Sequence, residues 1–79
     1  MFRYLWRVLR ARILRDVLKE VDCLSDTDLD AAREGAERAI QRRRWIPGEL
    51  RLWLCAEVHD IPAATADEFK QAIRRLIKD

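Results

Sequence analysis

Residues 1–24 read MFRYLWRVLRARILRDVLKEVDCL, and the spacing of their apolar side chains decides the fold class. Leu5, Leu9, Ile13, Val17, Val21 and Leu24 recur every three or four residues, the period of one face of an α-helix. The stretch therefore predicts a helix over 2–24. The rest of the chain agrees, because it holds two Gly, two Pro, the single serine Ser25 and no Asn. Those are the residues from which the turns of an all-β protein are made. The expectation is an all-α, compact four-helix single domain, a helical bundle spanning 1–79.

Three more helices follow from local signals. Ser25 precedes Asp28 by three and Thr27 precedes Asp30 by three, so either hydroxyl can cap a helix over about 26–44. Acids in its first turn suit its dipole. Its inward face is thin, built from Leu29, Ala32, Ala36, Ala39 and Ile40 with Gly35 nearby. Pro47 and Gly48 then break the chain, and Pro47 is well placed to open a third helix over 47–59. Leu50, Leu52, Trp53, Leu54, Cys55, Ala56 and Val58 make that helix apolar nearly all round, which predicts a central position. After the turn Asp60-Ile61-Pro62, Thr65 and Glu68 have capping-box spacing for a helix from about 63 or 66 to 78. Its stripe is Phe69, Ala72, Ile73, Leu76 and Ile77, with Lys70, Arg74, Arg75 and Lys78 outside. The expected core is Leu18, Val21, Leu50, Trp53, Leu54, Val58, Phe69, Ile73 and Leu76.

Composition removes most chemistry. At 49% hydrophobic and 38% charged the chain is too apolar to be disordered. No apolar run approaches the roughly 20 residues that span a bilayer. Five arginines in residues 1–15 interrupt any signal-peptide core, so a cytoplasmic location is the expectation. One histidine, His59, would have to serve every catalytic purpose, and glycines for a phosphate loop are isolated. Cys23, Cys55 and His59 are three soft ligands, but without a paired C-x-x-C knuckle or a second His they do not form a recognisable zinc pattern. Asp26, Asp28 and Asp30 lack the central Gly of a calcium loop, where Ala31 stands instead. The expectation is no enzyme, no cofactor, no metal and no small-molecule substrate. The two cysteines fall at apolar helical positions and are expected reduced.

The functional signal lies in the first fifteen residues. Phe2, Leu5, Trp6, Leu9 and Ile13 fall on one side of the helix and Tyr4, Val8 and Ala11 on another, with Arg3, Arg7 and Arg10 between them. A domain this small covers one side, so apolar surface is left over, and such surface marks interaction sites. Tyr4 and Trp6 are the expected anchors, Arg3, Arg7 and Arg10 the charged strip, and Trp45, after the run Arg42, Arg43 and Arg44, a further anchor. The preferred partner is a protein or a second copy of the chain, with acids in residues 26–37 as the self-complement. A membrane surface and nucleic acid, attracted by the arginines, are the competing uses of this basic amphipathic helix. The plain alternative is a helix that only completes the core.

A second signal sits in 56–69, AEVHDIPAATADEF. Ala56, Ile61, Ala66 and Phe69 stand where the helix-turn-helix of bacterial repressors keeps small or apolar residues, and the segment resembles that motif. It departs from the pattern at Asp60, where Gly is usual, and at Asp67 and Glu68, which would face phosphates. The resemblance implies a nucleic-acid-binding regulator, with Arg42, Arg43, Arg44, Arg74 and Arg75 as contacts. In size and style the chain also resembles the small inhibitor and accessory proteins of phages and mobile elements.

Overall fold

The computed structural model of the protein describes residues 2–23 and 28–78, and of Phe2 only its place in a helix. These residues form four helices and no strand: α1 (Phe2–Asp22), α2 (Leu29–Arg42), α3 (Gly48–His59) and α4 (Ala66–Lys78). They build a small all-α four-helix domain measuring 39 × 24 × 20 Å. At 1.5 Å per residue, α1 is about 31 Å long and sets the long axis.

The helix boundaries have local causes. Ser25 and Thr27, the expected caps of the second helix, lie outside the described residues. The cap that forms is Asp28, whose carboxylate accepts the Ala31 N–H at 2.8 Å. At the other end Arg43 donates its backbone N–H to Ile40 O, and the chain turns through Trp45 to bury Ile46. Pro47 is the N-cap of α3 rather than its first residue. The expected capping box of α4 forms: the Glu68 N–H donates to Thr65 Oγ1 at 3.2 Å, and the Glu68 carboxylate accepts the Ala64 N–H at 2.8 Å.

α2, not α3, is the centre. It packs against α1, α3 and α4 alike, whereas α3 rests chiefly on α2. Ala32, Ala36, Ala39 and Ile40 are all fully buried. The small side chains that make α2 a weak apolar helix let three neighbours approach its backbone closely. α3, though apolar nearly all round, has one covered face, carrying Leu54, Cys55 and Val58. Trp53, expected in the core, is 65% exposed, because none of the described helices covers that side of α3. Leu18, Leu50 and Leu76 border the core, while Ile13, Leu14, Val17, Ile46, Phe69 and Ile73 fill it.

Charges tie the helices at their ends. Glu20 of α1 faces Arg42 at the end of α2 and Arg43 just after it, at 3.4 and 3.3 Å. Asp22 faces Lys70 and Arg74 of α4, each at 3.5 Å, so Lys70 is folded in rather than outward. Arg33 of α2 donates to His59 O at 2.7 Å and lies 5.3 Å from the centroid of the buried Phe69 ring. It therefore closes the C-terminus of α3 while its guanidinium covers an aromatic face of α4. Both cysteines are free; Cys55 is buried, but Cys23 is exposed at the end of α1, contrary to the expectation of two buried thiols.

Candidate functional site

The first buried side chain of α1 among the described residues is Ile13. The turns before it project past the core with neither side fully covered. Tyr4, Leu5 and Val8 are 69%, 65% and 51% exposed, and Leu52 of α3 is 66% exposed. The apolar surplus read from residues 1–15 is thus present as exposed surface, and it is larger than expected, since α3 contributes Leu52 and Trp53.

Two contacts brace the projecting end against α3. The rings of Trp6 and Trp53 lie 6.3 Å apart at 59°, a tilted aromatic pair. One helical turn further along both helices, Arg10 donates to the Glu57 carboxylate at 2.8 Å. Arg10 is largely buried in that contact, so it belongs to the frame that holds α1 on α3 and not to an open charged strip. Arg3 and Arg7 are exposed. Trp6 is half-buried on the α3 flank, while Tyr4 stands on the α4 flank beside Val8, Ala11 and Ile77. The two expected anchors therefore serve different sides of one helix.

The other sequence-selected residues are scattered. Trp45 is 63% exposed on the α2–α3 connection. Arg42 and Arg43 are taken up by Glu20, and Arg43 also donates to Ala39 O at 2.6 Å; Arg44 is left exposed. Arg74 faces Asp22, and Arg75 is exposed. The repressor-like segment does not form the short turn of a helix-turn-helix, which is three or four residues. Residues 60–65 separate α3 from α4, and the first turn of α4 carries Asp67 and Glu68. Ile61 and Phe69 are apolar there because they are buried, which any helical hairpin requires.

The His59 Nδ1 lies 3.4 Å from Glu37 at the end of α3. Burial, with the Glu37 carboxylate adding to it, raises the Cys55 thiol above its usual range, although Gln41 and Arg51 oppose the shift. A raised thiol is a poor nucleophile at neutral pH. Among the described residues no three His, Cys, Asp or Glu side chains gather where a metal ion could sit. No described helix is long and apolar enough to cross a membrane. Comparison with protein-family models, with curated proteins and with solved structures finds no match for this chain.

Proposed function

We propose that this protein is a non-catalytic protein-interaction module, of the accessory or inhibitor kind, whose working surface is the projecting end of α1 together with the outer face of α3. One observation carries the reading. Six large apolar side chains, Tyr4, Leu5, Val8, Trp45, Leu52 and Trp53, are more than half exposed in a chain of 79 residues. Five of them stand on two helices that touch through Trp6 and Trp53. Exposed apolar side chains in such number are costly in water and are kept where a partner covers them. Tryptophan and tyrosine are also the residues in which binding energy concentrates. The partner is a protein surface, and a second copy is the simplest.

The test is a Leu5→Glu/Trp53→Glu variant. Both sites are exposed, so the helical circular-dichroism spectrum should be unchanged. The wild type is expected to associate, with itself by sedimentation or with partners held on an affinity column, and the variant is expected to lose that association. A wild type that stays monomeric and retains the same cellular proteins as the variant would overturn the reading.

A further inference from the structure

On the α4 side of α1 runs a groove of about 330 Å³ between the projecting turns and the last turn of α4. Tyr4, Val8, Ala11 and Ile77 form its floor, and Arg15 and Lys78 stand on its rim with Arg7 on the α1 wall. No carboxylate of the described residues lines it. Arg15 and Lys78 are exposed and have no ion-pair partner among the described residues. An apolar floor between cations asks for an apolar side chain flanked by acids.

The described acids of residues 28–37 do not meet that need. Asp28 is a helix cap, Glu34 is paired with Arg38 and Glu37 faces His59, while the exposed residue between Asp30 and Glu34 is only Ala31. The outer face of α3 does meet it. Leu52, Trp53 and Ala56 are exposed there, with Glu49 before them and Asp60 after them. Neither acid has an ion-pair partner among the described residues. Eleven residues at 1.5 Å each put these two carboxylates about 16 Å apart, bracketing the apolar centre. Arg7 and Arg15, eight positions apart, span about 12 Å of the groove wall.

We infer that the groove between α1 and α4 receives the Glu49–Asp60 face of α3 from a second copy of this chain. The groove and the helix lie on different sides of α1, so each copy offers both halves and the contact runs head to tail, the groove of one copy on α3 of the next. A phosphate backbone needs the cations but not the apolar floor. The inference rests on the reading of α1 and α3 as the working surface, and it names the occupant.

Charge exchange tests it. An Arg15→Glu/Lys78→Glu variant makes the groove acidic, and a Glu49→Lys/Asp60→Lys variant makes the helix face basic; all four positions are exposed or caps, and circular dichroism checks each fold. By sedimentation equilibrium the wild type is expected to self-associate, and each variant alone to do so at least about tenfold more weakly. An equimolar mixture is expected to associate as tightly as the wild type, because every groove then meets a helix face of opposite charge. Self-association that both charge variants leave intact but Leu5→Glu/Trp53→Glu abolishes would overturn this pairing and leave the general reading standing. A monomeric wild type would overturn the pairing as well. So would a monomer that binds vesicles of phosphatidylcholine and phosphatidylglycerol through the groove cations, which would assign the groove to a membrane surface.

Discussion

Enlarging one alanine of α2 should damage this domain more than removing a tryptophan from α3. Ala36 is fully buried where α2 meets its neighbours, and leucine adds three carbon atoms to a site with no exposed surface. Overpacking of that kind costs about 1–3 kcal/mol, despite the apolar area gained. For a domain of this length each kcal/mol lowers Tm by roughly 4–8 °C, so a cost of about 2 kcal/mol moves the midpoint by roughly 8–16 °C. Trp53 is 65% exposed, and its replacement by alanine forfeits little beyond the Trp6 contact. An aromatic pair is worth about 0.5–1.5 kcal/mol, against about 3–5 kcal/mol for truncating a buried tryptophan. Ala31→Leu, on the exposed side of α2, is the control for helix propensity and should shift stability by only about 0.2 kcal/mol. Thermal unfolding followed at 222 nm ranks the three, with urea titration supplying the free energies. If Trp53→Ala costs as much as a core tryptophan while Ala36→Leu is neutral, α2 is not the hub and the packing argument fails.

Arg33→Met should cost about 1.5–3 kcal/mol in urea, the value of a charge-assisted hydrogen bond to the carbonyl ending α3, with Arg33→Lys recovering only part of it because lysine lacks the planar group over Phe69. Asp28→Ala should lower stability by about 1 kcal/mol, and Asp28→Asn or Asp28→Ser should largely restore it, since each can accept the Ala31 N–H. Cys23 should react with a thiol reagent at once, and Cys55 only as fast as the domain opens, so denaturant should accelerate the second reaction alone. The Cys55 thiol is raised in the folded state, so folding favours its protonated form; that contribution is complete below the ordinary thiol value of 9.0 and is lost as pH rises past it. Cys55→Ala should therefore show a shallower alkaline loss of stability than the wild type, measured by urea titration across that range.

Helical period and capping chemistry are local properties, and both were legible. The stripe from Leu5 to Val21, the break at Pro47-Gly48 and the Thr65/Glu68 box each act within a few residues, so four helices and their order could be read from the chain alone. The presence of apolar surplus in residues 1–15 was equally legible, because the apolar side chains there fall on two sides of one terminal helix and a domain this small covers one of them. Which helix occupies the centre was not. Hydrophobicity ranks α3 above α2, but position in the core depends on how closely backbones can approach, and the alanines of α2 win on that count. The fate of individual arginines was hidden for a related reason: Arg10, Arg33, Arg43 and Arg74 look alike in sequence, and only the meeting of distant segments gives them Glu57, the end of α3, Glu20 and Asp22 as partners. Periodicity says what each helix would bury; only the tertiary structure decides what remains to cover it, and that is why Trp53 and Leu52 stand on the surface beside α1.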